Sequence, residues 1–153
     1  MEQRQYGDEY HIGDVYNTAS ITVTEAHLVN WAGLTMDFYP LHMDAEYAAK
    51  TPFGQRLAHG PMIFALAVGL VGMTGIGGTA VIAWLGADKM RMLKPVMIGD
   101  TIRVEVEVLE QRPTKKPEQG IQIWRYTVKN QRDEAVMAFD YTMMFKMRTG
   151  EPL

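Results

Sequence analysis

The chain has 153 residues, 47% of them hydrophobic and 22% charged, with 15 Lys and Arg against 18 Asp and Glu. That length fits one domain, and the apolar fraction is that of a folded globular chain, which excludes a disordered or low-complexity protein. A net charge of −3 provides no basic field for nucleic acid, and the lack of cysteine excludes disulfides, thiolate metal sites and a thiol nucleophile.

The polar start, Met1 to Asp14, has no apolar run of the kind that directs secretion, and together with the missing cysteines it fits a cytoplasmic protein. Gly13-Asp14 precedes a β-branched run from Val15 to Val23, expected to be a strand. Thr24 is placed to cap a helix over Glu25–Thr35, in which Leu28, Trp31 and Leu34 form one apolar stripe. Pro40 is expected to interrupt helical structure, and Asp44 to cap a short helix from Ala45 to Lys50 that ends at Thr51-Pro52-Phe53-Gly54.

Leu57 to Ala87 contains no Asp, Glu, Lys or Arg, a length that invites a membrane reading. The break at Thr74-Gly75-Ile76-Gly77-Gly78-Thr79 cuts it into a helix from His59 to Met73, with Pro61 in its first turn, and a strand from Ala80 to Leu85. Each piece is too short to span, so no membrane partner is expected. The helix is apolar nearly all round and should be enclosed, which suggests a sheet wrapped about one central helix.

Further strands are expected at Thr101–Glu110, Ile121–Lys129 and Ala135–Met147. Ile102, Val104, Val106 and Val108 alternate with Arg103, Glu105 and Glu107, giving one buried and one wet face. Gln111 to Gly120 reads as a solvated loop and Asn130 to Glu134 as a hairpin connection. The expected fold class is α+β, a single domain over residues 1–153 with its core at about residues 10–148, helices first and an antiparallel meander after them.

Polar function is densest in Asp37-Phe38-Tyr39-Pro40-Leu41-His42-Met43-Asp44, followed by His59-Gly60. A carboxylate beside an imidazole is an acid–base pair, although Asp37 as a turn cap and His42 as a simple hydrogen-bonding residue is the bland alternative. Gly60, before Pro61 at the start of a buried helix, offers a bare N–H at the positive helix end, suited to a polarised carbonyl oxygen; close packing of helix on sheet would equally select glycine.

The order and spacing of Asp37-x-x-Pro40-x-His42-x-Asp44, Tyr47-Ala48, Phe53-Gly54, Ala58-His59-Gly60 and Gly69-Leu70 closely resemble the MaoC-like dehydratases, among them the (R)-specific enoyl-CoA hydratases. Ile12-Gly13-Asp14, Thr22-Val23-Thr24-Glu25-Ala26 and Pro95-Val96-x-x-Gly99-Asp100-Thr101-Ile102 extend the resemblance over most of residues 10–145. It implies a hotdog fold, an antiparallel sheet around a long central helix, and addition of water to an enoyl-CoA thioester or its reversal. Asp37 and His42 would be the catalytic pair and Gly60 N–H the oxyanion donor. Tyr39, His59 and Val68 would lie with the substrate. Arg56, Arg91 and Lys94 are candidates to meet CoA phosphates, although exposed cations are usually just solvated. Tyr39 replaces the Asn, and Val68 the Ser, of most such enzymes, which admits a branched or dicarboxylic, mesaconyl-type acyl group beside a plain short one. The resemblance further implies a homodimer or an oligomer of dimers, with no metal or other cofactor.

Three competing patterns are weaker. His42, Asp44 and His59 have the residue types of a 2-His-1-carboxylate iron site, and Gly75-Ile76-Gly77-Gly78-Thr79-Ala80 formally matches a dinucleotide fingerprint, but follows a helix and precedes a strand, the reverse of what that motif needs. The twelve methionines are read as core or edge packing. A hotdog thioesterase or a non-catalytic acyl-CoA-binding protein are the alternative functions, the former lacking an acid at Leu66, Ala67 or Val68.

Overall fold

The computed structural model describes residues 4–148, so the outermost ends of the expected domain, 1–3 and 149–153, lie outside the described residues. A short 3-10 turn at Gly7–Glu9 leads to strands β1 (Val15–Asn17) and β2 (Ile21–Thr22) and helix α1 (Glu25–Thr35). Two short helices follow, α2 (Pro40–Met43) and α3 (Ala45–Ala49), then the long α4 (Gly60–Thr74). Strands β3 (Val81–Met92), β4 (Thr101–Pro113), β5 (Gln119–Lys129) and β6 (Ala135–Lys146) complete the chain.

The strands form one antiparallel sheet in the order β1-β4-β5-β6-β3, with β2 also on β4. The expected meander is β4-β5-β6. β3 precedes it in sequence yet lies at the far edge, against β6. Alternation along β4 works as the residue types require: Ile102, Val104, Val106 and Val108 are fully buried. On the same inner face Trp124, Tyr126, Phe139 and Phe145 pack into the core cluster with Met62, Ile63, Ala67, Leu70 and Val71 of α4. Each such side chain contributes about 1.5–3 kcal/mol by leaving water. This is the hotdog arrangement, an α+β fold.

Four expectations change. The single strand over Val15–Val23 is two pieces, because Thr18 turns its hydroxyl inward to accept from Val104 N–H at 2.9 Å and breaks the run between them. Pro40 starts a helical turn instead of interrupting one, since at the first position its missing N–H removes no helical bond. β4 and β5 extend into the expected loop over Gln111–Gly120, leaving only residues 114–118 between them, and β3 continues past Ala87 to Met92. Finally, α4 is not enclosed: the sheet covers one side, while Pro61, Ala65, Gly69, Gly72 and Met73 stay exposed. No helix of the described residues is long and apolar enough to cross a membrane.

Candidate active site

Helix α1 carries the first functional residue to its place. Thr24 caps it reciprocally with His27, whose ring accepts from Thr24 N–H at 2.9 Å. At its far end Met36 adopts the left-handed conformation (φ 64°) with its N–H on Ala32 O, so the chain turns sharply and Asp37 leaves the helix axis. Asp37 then accepts a long 3.3 Å bond from Tyr39 N–H. The single turn of α2 brings His42 back, and its Nδ1–H donates to Leu57 O at 2.9 Å. That bond fixes the tautomer and leaves Nε2 as the atom available for chemistry.

Leu57 and Ala58 are pinned in turn, Leu57 bridging Met97 and Ala58 N–H bonding Val96 O at 2.8 Å. This delivers His59 to the N-cap of α4. Its ring stacks on that of His42, centroids 3.9 Å apart and planes 30° from parallel, and its Nε2–H donates to the Asp37 carbonyl at 3.0 Å. One polar side-chain atom from each of Asp37, His42 and His59 lies within 4.8 Å of the others. Gly60 is the first residue of the 15-residue α4, where the N–H has no intrahelical acceptor and faces the positive end of the dipole. His42 and Gly60 share a cleft of about 320 Å³ with Leu57, Met92 and Lys94. A Cβ at Gly60 would meet only Met92, at an ordinary 3.6 Å, so helix-on-sheet crowding is not what selects glycine there.

Burial holds the His59 imidazole below its ordinary pKa; a charged His42 would lower it further, while the hydrogen bond to Asp37 O and the Asp37 charge act the other way. His59 is fully buried and, among the described residues, its Nδ1 has no partner, as suits a neutral ring with an idle lone pair. The cluster does not suit a shared metal ion. An ion on both rings must lie in both ring planes, and near-parallel planes 3.9 Å apart do not meet within a metal–nitrogen distance of ~2.1 Å. Asp44, the carboxylate that the sequence offered to such a site, caps α3 by accepting from Tyr47 N–H at 3.0 Å.

The remaining expected site residues separate. Tyr39 is exposed, edge-on to His42 with centroids 6.1 Å apart and to Tyr47 at 6.4 Å. His59 is fully buried and does not line the cleft. Val68, two turns along α4, packs on the core and does not line the cleft. Arg56 grips Glu25 with both terminal guanidinium nitrogens, Nη1 and Nη2, tying the loop before α4 to the first turn of α1. Arg91 is exposed and, among the described residues, donates only to the neighbouring Met90 carbonyl, at 2.8 Å. Lys94 lines the cleft and pairs with Glu134 at 2.5 Å; Asn130, Lys94 and Arg132 hold that carboxyl down to about 2. Two features were missed from sequence, the Leu57 carbonyl that orients His42 and Met92 on the extended β3. A second, mostly apolar groove of about 270 Å³ runs between α1 and α4, past His27, Asn30, Trp31, Leu34, Met62 and Leu66.

Residues 9–130 match the family described as the MaoC like domain. The chain is 36% identical over 136 residues to protein MaoC of Klebsiella aerogenes, a match covering 84% of this chain and 40% of that protein. It is 36% identical over 90 residues to the (R)-specific enoyl-CoA hydratase of Aeromonas caviae, covering 59% of this chain and 65% of the hydratase. It thus spans less than two thirds of either relative. The X-ray structure of a monoamine oxidase regulatory protein from Archaeoglobus fulgius superposes with a TM-score of 0.90 at 35% identity, covering 97% of this chain and 99% of that one. With four fifths of its length matched and its architecture shared, the chain belongs to the MaoC-like domain family.

Proposed function

We propose that this protein adds water across the 2,3 double bond of a trans-2-enoyl-CoA thioester, or eliminates it from the 3-hydroxyacyl-CoA. The observation that carries the reading is one cleft lined by both His42, whose Nδ1 is held by Leu57 O, and Gly60, with a polar side-chain atom of Asp37 within 4.8 Å of the imidazole. Likeness to the hydratase of Aeromonas caviae supports it. A thioester oxygen on Gly60 N–H draws electrons from the double bond. Asp37 takes a proton from water as its oxygen bonds to C3, and the π pair moves toward the carbonyl. Gly60 holds the resulting enolate, and protonated His42 delivers its Nε2 proton to C2. Exchange with water then returns the proton from Asp37 to His42. Because charge on oxygen is greatest near the transition state, Gly60 speeds the reaction more than it tightens binding. Nothing in these steps calls for a metal or redox cofactor.

A thioester centred on Gly60 has two arms, and charge assigns them. Lys94, with Arg91 on the nearby end of β3, suits CoA phosphates on the cleft side. The groove between α1 and α4 has no Lys or Arg in its lining and takes the acyl chain. His27 and Asn30 also line it and offer polar partners to a second carboxylate, so the groove admits an apolar acyl group, straight or branched, as well as a dicarboxylic one. The protein acts as a cytoplasmic homodimer in this reading.

The test uses purified protein with crotonyl-CoA and mesaconyl-CoA, following enoyl absorbance and product mass. Hydration of crotonyl-CoA is expected, with Asp37→Asn and His42→Ala each lowering kcat ~10²–10⁴-fold while the fold persists. Full activity in both variants would falsify the mechanism. Release of free CoA thiol identifies the thioesterase, and binding without turnover a carrier.

A further inference from the structure

We propose that His59 is the positioning residue of this site: buried behind the pair, it anchors Asp37 through its backbone carbonyl and supports the His42 ring by stacking. The inference rests on the hydratase reading above. Asp37 lies in the irregular link between α1 and α2, and its other hydrogen bonds are the 3.4 Å bond from its N–H to Thr35, the last residue of α1, and the 3.3 Å bond from Tyr39, both within two residues of it in the chain. The 3.0 Å bond from His59 Nε2–H is, among the described residues, the one hydrogen bond that ties Asp37 to a residue outside the stretch from the end of α1 to α2. The same ring lies 3.9 Å from His42, whose other restraint is the Leu57 carbonyl. As N-cap of α4, His59 also sets the direction of the following N–H, that of Gly60. One rigid residue thus touches all three groups. Its full burial keeps it from substrate, which separates it from a catalytic residue.

The alternative is a histidine that merely fills the core, and three variants separate the two. His59→Gln keeps a donor that reaches the Asp37 carbonyl, His59→Phe keeps the stacked ring without the donor, and His59→Ala removes both. His59→Phe is expected to lose ~10²-fold in kcat, the penalty of a misplaced acid–base group, with KM within about twofold of wild type. His59→Gln should recover most of that loss. His59→Phe turning over at the wild-type rate, or His59→Gln as slow as His59→Phe, overturns the role. Should the variants fail to fold, nitrogen-15 NMR of labelled histidine in the wild-type protein decides. A neutral ring with a slowly exchanging Nε2 proton is expected, and a proton on Nδ1 instead overturns the anchor. A wild-type protein that hydrates no enoyl-CoA sinks the hydratase reading, whereas an active wild type matched by His59→Phe sinks this one alone.

Discussion

A histidine kept neutral by its surroundings makes stability depend on pH with a definite sign. His59 titrates near 6.5 when exposed in the unfolded chain and lower when folded, because burial opposes its charge. Between those two values the unfolded state binds more protons, so stability is complete above 6.5 and falls as the pH drops below it, by up to ~1.4 kcal/mol per pH unit. Carboxylates held below their ordinary range, Glu25 by Arg56 and Glu134 by Asn130, give up their contributions only at more acidic pH. Urea unfolding at about pH 7 and about pH 5.5 should therefore show a loss in the wild type that His59→Gln reduces, and equal losses in the two proteins would refute the assignment. At this scale the sequence was informative where side-chain chemistry is spelled out, as in Asp37, His42 and Gly60. It was silent on the Leu57 carbonyl, since any residue supplies one, and on the inward turn of His59, which depends on the extended N-cap backbone (ψ 130°).

The elements that place these residues depend on turns whose chemistry is local. Gly75 and Gly78, both left-handed with φ of 68° and 53°, close α4 and send the chain into β3, as the reversed glycine pattern implied. They differ in what surrounds them. Among the described residues a Cβ at Gly75 meets nothing within 4 Å, whereas one at Gly78 would lie 1.9 Å from the carbonyl oxygen of Arg4, which accepts from Thr79 N–H at 3.0 Å. Gly75→Ala should cost only the left-handed strain of about 1–2 kcal/mol. Gly78→Ala must also displace the N-terminal strap and its hydrogen bond, adding about 1 kcal/mol or more. Thermal unfolding of both variants checks the order, and equal losses would mean that the strap contributes nothing. Helix limits were legible because caps and glycines announce them, Thr24 and Asp44 among them. Strand limits were not: β3 continues through Asp88, Lys89 and Arg91 because an edge strand needs a partner on one side only, so charge does not end it.

For the molecule as a whole, what remains uncovered matters most. β3 pairs with β6 on one side only, and Ile82, Trp84 and Leu85 are each about half exposed beside its open edge. Register shifts interrupt both halves of the strand, but the far half also carries Lys89 and Arg91, which discourage pairing, whereas Val81 to Leu85 carries no charge. The exposed side of α4, with Ala65, Gly69 and Gly72, is small-sided and open to close approach. A second copy related by a two-fold axis would cover such a strand with itself, because an antiparallel edge is self-complementary. Sedimentation at about 10 μM should thus find a dimer, which needs roughly −8 kcal/mol of association free energy at micromolar Kd. The double variant Ile82→Lys, Leu85→Lys should be monomeric, since each ammonium trapped at the seam costs several kcal/mol, a large part of that total. Met92 at the end of the same strand lines the cleft beside Gly60, so hydration should fall with the dimer. A wild-type monomer at that concentration, or a double variant that stays dimeric, would exclude this edge as the interface; a monomeric variant with full activity would show instead that each chain works with its own cleft.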